Sequence, residues 1–239
     1  MIKLAVSGCC GRMGQSITAL ALNDKDFKIW ALLENPERLD TPEKICNMVV
    51  STDARVLKGA HVLIEFTSPE ATMGHVKFCQ QNRINMVIGT TGLTQPQMAQ
   101  IKKASSKIAI VFSSNMSVGV NLVFGLIRQT AQITGKNYTM VLSETHHVHK
   151  KDAPSGTAKT MAQIAEQHSK NKVKEIASIR EGEVIGEHTI TFESPVDLIS
   201  IRHHAKTRDI FAQGALVAAK FLSKKKKGLF NMQDVLGLK

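Results

Sequence analysis

Residues 144–158 read Glu-Thr-His-His-Val-His-Lys-Lys-Asp-Ala-Pro-Ser-Gly-Thr-Ala, which gathers three histidines and two lysines within seven positions of one another. Histidine beside lysine places a proton donor or acceptor next to a fixed positive charge, the equipment of general acid–base chemistry on an anion. The segment then opens a helix through Pro-Ser-Gly-Thr. First-turn amides and the helix dipole make such a start a site for a carboxylate or phosphate. His146, His147 and His149 could instead be metal ligands. Adjacent lysines would repel a cation, however, and no cysteine or carboxylate cluster stands at ligand spacing, so no metal is expected. His203 and His204, near Lys206 and Arg208, fit strand-end polar structure or an anion contact better than ligation.

A second chemical signal lies near the N-terminus, where Gly8-Cys9-Cys10-Gly11-Arg12-Met13-Gly14 follows a short apolar run. Glycines at this spacing allow a tight turn and let backbone amides approach a pyrophosphate at a helix N-terminus. A glycine triplet alone is weak evidence, since such turns are common. Glu34 strengthens it, because it comes 20 positions after Gly14, where a carboxylate accepts hydrogen bonds from ribose hydroxyls. Phe66-Thr67 and Gly89-Thr90-Thr91-Gly92 end two further apolar runs and offer small side chains, hydroxyls and amides, although each also fits a plain turn. Together these features imply a reductase that takes a hydride from a nicotinamide dinucleotide and delivers it to a small anion.

The elements that must hold these groups follow from hydrophobic periodicity. Strands are expected at Ile2–Ser7, Phe27–Leu33, Ala60–Phe66, Asn85–Gly89 and Ile108–Phe112. Helices are expected at Gln15–Leu22, Pro69–Gln81 and Gln95–Ser105. This alternation implies a mostly parallel sheet covered on both faces. After Asn115 the pattern changes to a helix at Val118–Thr134, a strand at Asn137–Glu144, a helix at Thr157–His168, and strands near Glu187–Phe192 and Asp197–His203. Those elements describe an α+β substrate domain on an open sheet. Gly214–Leu222 and Gly228–Leu238 read as helical and too short for a domain of their own, so they are expected to pack back onto the first. The resulting division is 1–117 completed by 206–239, with 118–205 as the second domain.

Composition narrows the partners. An apolar fraction of 43% with 21% charged residues is that of an ordinary globular protein. The net charge of +11 raises the question of nucleic acid. Basic residues are nevertheless dispersed outside Lys224–Lys227, and aromatics that could stack bases make up only 5%. No leader or membrane-spanning run is read, and Cys9, Cys10, Cys46 and Cys79 lack a paired spacing, so reduced thiols and a cytoplasmic location are expected.

The same residues resemble the dihydrodipicolinate reductase family over nearly the whole chain. The resemblance rests on the Gly8–Gly14 loop, Val62-Leu63-Ile64-Glu65-Phe66-Thr67, Val87-Ile88-Gly89-Thr90-Thr91-Gly92, Asn115-Met116-Ser117-Val118-Gly119-Val120-Asn121, the 146–157 loop, and Gly182-Glu183-Val184-Ile185-Gly186-Glu187-His188. It implies an α/β fold: a Rossmann-type doubly wound parallel sheet with a second α+β domain on an open mixed sheet, assembled as a homotetramer. It implies NADH or NADPH as cofactor and a small dicarboxylate as substrate, with no nucleic acid or membrane partner. His146 is then the catalytic acid/base, and Lys150 the second proton donor or carboxylate partner. His147, Gly156 and Thr157 would hold the two carboxylates. Gly8, Cys9, Cys10, Gly11, Arg12, Met13, Glu34, Phe66, Thr67, Gly89, Thr90, Thr91, Ser113, Ser114, Asn115 and Met116 would line the dinucleotide.

Two departures stand out. Several relatives carry arginine directly after the ribose-binding glutamate, where this chain has Asn35, and the stretch between Glu34 and Asp53 is shorter than in some of them. A semialdehyde dehydrogenase on the same cofactor fold would need a nucleophilic cysteine in the second domain, yet every cysteine precedes residue 80. A nucleotide-sensing regulator of nucleic acid would need a recognisable helix-turn-helix, and none is read.

Overall fold

The computed structural model describes residues 1–38 and 40–238. The chain divides into two compact units, Met1–Val118 with Phe211–Gly237, and Gly119–Ile210 with the C-terminal end.

The first unit is built on an eight-stranded sheet. Its strands are β1 (Ile2–Ser7), β2 (Phe27–Leu33), β3 (Lys44–Ile45), β4 (Met48–Ser51), β5 (Val62–Glu65), β6 (Asn85–Ile88) and β7 (Ala109–Phe112), together with a late strand from the C-terminal segment. Helices α1 (Arg12–Leu22), α2 (Pro69–Asn82) and α3 (Gln95–Ala104) connect them. All neighbouring strands are parallel except the β3–β4 pair. Successive residues of β1 and β5 point to opposite faces, so each face needs its own apolar cover. Leu4, Val6, Val62 and Ile64 enter one core with Ile17 and Ala21 of α1. Ala5 and Leu63 enter the other with Val76 of α2 and Ile101 of α3.

The second unit begins with α4, which runs Val118–Thr134 across the boundary. A four-stranded sheet follows, made of β8 (Thr139–His146), β9 (Val173–Arg180), β10 (Glu187–Glu193) and β11 (Leu198–His204), with α5 (Gly156–Ser169) between β8 and β9. The order is β11-β10-β8-β9; β8 and β9 are parallel and the other pairs antiparallel, which makes the sheet mixed. Met140, Leu142, Ile190 and Phe192 of the sheet pack against Val123 and Ile127 of α4 and Met161 and Ala165 of α5.

α6 (Asp209–Leu222) then leads to β12 (Gly228–Phe230) and α7 (Met232–Leu236). Several boundaries correct the sequence expectation. The stretch 228–238, expected as one helix, starts as strand β12 beside β7, because the Gly228 amide donates to Ser105 and Ile108 carbonyls and a free strand edge is there to be paired. α6 begins five residues before Gly214. α1 starts at Arg12 rather than Gln15, since Gly11 can sit extended at the cap position. β3, β4 and β9 were not expected. The first two are very short, and β9 carries Lys174 and Glu175 at an exposed start that breaks the alternation.

Candidate active site

In the first unit, the residues singled out from sequence fall at the carboxyl ends of parallel strands, where an open α/β sheet binds ligands. Gly8 follows β1, Glu34 follows β2, Phe66 and Thr67 follow β5, Gly89 to Thr91 follow β6, and Ser113 to Met116 follow β7. A cavity of about 840 Å³ is lined by Gly8, Gly11, Glu34, Arg38, Phe66 and Thr67, among others.

The glycines are dictated by contact. Gly8 has φ +74°, and a Cβ there would stand 2.5 Å from the Phe66 carbonyl oxygen. One on Gly14 would stand 2.1 Å from the Gly8 oxygen, and one on Gly89 would lie inside the Phe66 ring at 2.2 Å. No side chain can replace them without moving backbone or ring. Gly11 caps α1 without a side-chain hydrogen bond, and no acidic residue enters the first turn, so this helix start is suited to an anion.

Glu34 is buried and already engaged. Its Oε2 accepts from the Cys10 amide at 2.8 Å and its Oε1 from the Asn35 amide at 2.9 Å. Arg38 approaches Oε2 at 3.9 Å but is held by Asp40 at 2.7 Å. The Cys9 and Met116 side chains lie in the core, so any contact they make with a nucleotide comes from backbone. Burial, with the neighbouring Cys10, pushes the Cys9 thiol up to about 12, and burial with Glu34 raises Cys10. Arg12, Thr91 and Ser114 are exposed.

One cluster was not anticipated. The Glu65 carboxylate, with no solvent exposure, accepts from Thr67 Oγ1, from Thr72 Oγ1 at 3.4 Å and from His75 Nδ1 at 2.7 Å. Thr90 Oγ1 in turn accepts from the Thr67 amide at 3.0 Å. This network fixes two of the expected cofactor contacts against one another.

In the second unit, β8 buries alternate residues, and its buried face changes chemistry along its length: Met140 and Leu142, then Glu144 and His146. Thus His146 is the last strand residue rather than a loop residue, and the sheet holds its backbone. Register sets its surroundings. Glu144 lies opposite Ser178 of β9 and His188 of β10, and His146 opposite Arg180.

His146 Nδ1 donates to Glu144 Oε2, whose other oxygen accepts from Arg180 Nη2 at 3.0 Å and from the Ser155 amide at 3.3 Å. Burial works to raise Glu144, but donors Arg180, Ser178 and His146 outweigh it and hold the carboxyl below its usual range. Burial lowers His146 below the usual histidine value, against the pull of Glu144, and the positive charges of Lys150 and Arg180 add to the lowering. The imidazole is therefore neutral at pH 7, with its proton on Nδ1 and a lone pair on Nε2. Gly186 keeps space beside that nitrogen, since a Cβ there would stand 3.1 Å from Nε2.

His188 packs edge-on to His146 with ring centroids 5.0 Å apart, and its Nε2 meets Ser155 Oγ at 3.0 Å. Burial, with the charge His146 carries once protonated, pushes its pKa down to about 4. Ser155 also caps α5, accepting from the Ala158 amide, and no acidic residue enters the first turn formed by Gly156 and Thr157. Lys150 Nζ meets Asp152 Oδ1 at 2.7 Å, while His147 Nδ1 is buried with no hydrogen-bond partner among the described residues.

His149 is exposed and pairs with Glu183, outside this cluster. His204 and Arg202 share Glu187 at the sheet's edge, which makes them strand-end polar structure. Glu144, His146 and His188 bring three donor atoms within 4.8 Å. The guanidinium of Arg180 already supplies the positive charge there.

Sequence reasoning assigned no role to Glu144, Ser155, Gly186 or His188, although they lie within the 144–158 and 182–188 segments it singled out, and it passed over Arg180 altogether. Glu144 stands two positions before His146, on the same strand face, and that spacing was the available signal.

The N-terminal model described as dihydrodipicolinate reductase, N-terminus, matches residues 2–116, and its C-terminal counterpart matches residues 119–236. A 4-hydroxy-tetrahydrodipicolinate reductase from Polynucleobacter necessarius is 38% identical over 265 residues, covering all of both chains. One from Pelagibacter ubique is 39% identical over 258 residues, covering 100% of this chain and 99% of its own. Among solved structures, a dipicolinate-bound dihydrodipicolinate reductase from Paenisporosarcina sp. TG-14 superposes with TM-score 0.85 at 24% identity, covering 98% of each chain. A diaminopimelate dehydrogenase of C. glutamicum superposes with TM-score 0.62 at 12% identity, covering 97% of this chain and 92% of its own.

Proposed function

The chain belongs to the dihydrodipicolinate reductase family, and from that premise we propose how its residues divide the work. The reaction is the NAD(P)H-dependent reduction of 4-hydroxy-tetrahydrodipicolinate to tetrahydrodipicolinate in lysine and diaminopimelate biosynthesis. In balance, the substrate loses one water and takes up a hydride and a proton. NAD(P)H supplies the hydride.

We assign dinucleotide binding to the unit of residues 1–118 and 211–237. There the Gly8–Gly14 turn and the start of α1 receive the pyrophosphate, and Glu34 accepts from a ribose hydroxyl. The steric fit of Gly8, Gly14 and Gly89 supports this reading, since each brings backbone closer than any side chain permits. Phe66 and Thr67, Gly89 to Thr91, and Ser113 to Met116 complete the lining.

Substrate chemistry falls to the second unit. His146 begins neutral, so its Nε2 accepts a proton, and Glu144 stabilises the imidazolium that forms until the proton is returned. Lys150, released from Asp152, is the second proton donor or a carboxylate partner. His147 Nδ1 and the Gly156 and Thr157 amides take the carboxylates. The observation that carries this assignment is Glu144 bridging His146 Nδ1 and Arg180 Nη2, an arrangement that orients an acid/base and sets its charge.

Open apolar surface on and beside β11, where Val196 is 91% and Leu198 58% exposed, supports a homotetramer formed through this sheet. No described helix is long and apolar enough to cross a membrane. Four free cysteines support a reducing, cytoplasmic location.

The direct test couples the protein to the preceding synthase and its two substrates, following loss of reduced-nicotinamide absorbance with NADH and NADPH. Oxidation that depends on both proteins is expected. Its absence would remove the assignment. Calorimetry with pyridine-2,6-dicarboxylate tests the carboxylate subsite, and binding should tighten when reduced dinucleotide is present.

A further inference from the structure

A glycine loop for pyrophosphate needs small residues and backbone amides at its second and third positions; nothing in that task calls for thiols. Here both positions are cysteine, and their Sγ atoms stand 3.9 Å apart. Two sulfurs bound to one tetrahedral zinc at about 2.3 Å are separated by about 3.8 Å. The Glu34 carboxylate joins them, tied to the same loop through the Cys10 amide at 2.8 Å. Donor atoms of all three residues lie within 4.8 Å of one another.

We propose that Cys9, Cys10 and Glu34 form a site for a thiophilic divalent cation such as Zn²⁺ or Cd²⁺, and that this cation and the dinucleotide exclude one another. Two thiolates and a carboxylate select such ions over Mg²⁺ or Ca²⁺ and leave a fourth position for water. As the two metal–sulfur bonds form, two S–H protons leave to solvent. Three anionic ligands then face the dication and the guanidinium of Arg38, 3.9 Å from Glu34 and shared with Asp40, which leaves one net negative charge. Exclusion follows because a metal-bound Glu34 no longer accepts from ribose, and the loop that must close around pyrophosphate is clamped. By linkage, the dinucleotide weakens the cation as much as the cation weakens the dinucleotide. This coupling rests on the assignment of the Gly8–Gly14 loop to the dinucleotide.

The test titrates the full-length, reduced protein with Cd²⁺ alone and follows the ultraviolet thiolate-to-cadmium charge-transfer band. The band should saturate at one ion per chain and disappear on adding excess NADH. It should be lost in the Cys9→Ala/Cys10→Ala double variant and kept in Cys46→Ser, whose thiol is exposed elsewhere. Far-ultraviolet circular dichroism checks folding; if the double variant is unfolded, the single variants Cys9→Ala and Cys10→Ala should each weaken the band. No band in the wild type, or a band unchanged in these variants, overturns the site. A band that survives saturating NADH overturns the exclusion. NADH calorimetry on metal-free protein separates the two readings: if NADH binds and no band forms, only the cation site falls. If NADH does not bind, the dinucleotide assignment falls and the wild-type band against the variants judges the cation site.

Discussion

Around the Gly8–Gly14 loop most of the decisive contacts are made by backbone: three glycines in forced approach, a helix start without a side-chain cap, and a carboxylate occupied by two amides. Around His146 they are made by side chains from three strands and a helix cap: Glu144, Arg180, His188 and Ser155. The difference fits the tasks proposed for the two sites. A pyrophosphate is a constant, fully charged group that needs rigid donors at short range, and backbone supplies them wherever glycine lets it come close. A proton-transfer group must change charge during turnover, so it needs neighbours that tolerate both states, and only side chains can be matched to that. Substitutions should therefore damage the two sites differently: changes of shape at the first, changes of charge at the second.

The largest effect is expected at His146. His146→Gln keeps a polar side chain of similar reach but cannot cycle a proton, so kcat should fall roughly 10²–10⁴-fold, the range for a lost acid/base. NADH affinity by calorimetry should stay within a factor of a few, because the loop proposed to bind the dinucleotide belongs to the other unit. Lys150→Ala should lower kcat and raise KM together. Near-normal turnover in both variants would move the acid/base elsewhere and erase the contrast.

Gly14→Ala should show the opposite pattern. Its added Cβ meets the Gly8 oxygen at 2.1 Å, so the loop must shift. NADH affinity should weaken at least about tenfold, or 1.4 kcal/mol. Calorimetry with NADH checks this. An unchanged Kd would mean that the loop does not depend on its geometry.

How legible each site was in the sequence has the same origin. Gly8, Gly11, Gly14 and Glu34 sit at local or fixed spacing along one strand–turn–helix–strand unit, so sequence alone picks them out. The partners of His146 do not. Arg180 and His188 are 34 and 42 positions away and reach it only through the register of β8 with β9 and β10. β9 itself went unread, and with it Arg180. His146 could be named because the His-Lys run is compositionally unusual, but its place as the end of a buried strand face could not. Strand β12 was misread because its three residues pair only with β7, more than a hundred positions earlier.

Acid should test the side-chain site through stability. His188 is buried and neutral, with a pKa of about 4 in the folded protein against an ordinary 6.5. Between those values the unfolded chain binds a proton that the folded chain does not, so stability falls as pH drops from about 6.5 towards 4 and is complete above that window. The gap corresponds to roughly 3 kcal/mol at the acid end. Urea unfolding at pH 7 and pH 4.5, on wild type and His188→Gln, should show a smaller acid loss in the variant. Equal losses would place the acid sensitivity in other groups.

The smallest effect concerns the adenosine end of the backbone-built site, where side-chain charge does enter. Glu34 suits free ribose hydroxyls and repels a 2′-phosphate, and Asn35 adds no charge to offset this. Arg38 stands beside Glu34, but Asp40 holds it through Nε at 2.7 Å and Nη2 at 3.1 Å, so reaching a phosphate means giving up that pair. Arg12, exposed at the start of α1, is the other candidate. The expected outcome of this balance is use of both cofactors, with NADH at least as good as NADPH. Asn35→Arg adds a charged donor beside Glu34, and one hydrogen bond to a charged group is worth about 1.5 kcal/mol, so kcat/KM for NADPH should rise about tenfold while NADH changes little. Steady-state kcat/KM for both cofactors, on wild type and variant, decides it. A wild-type preference for NADPH of about tenfold or more, 1.4 kcal/mol, would mean that Arg38 or Arg12 already reads the 2′-phosphate, and an inert Asn35→Arg would mean that position 35 does not face it.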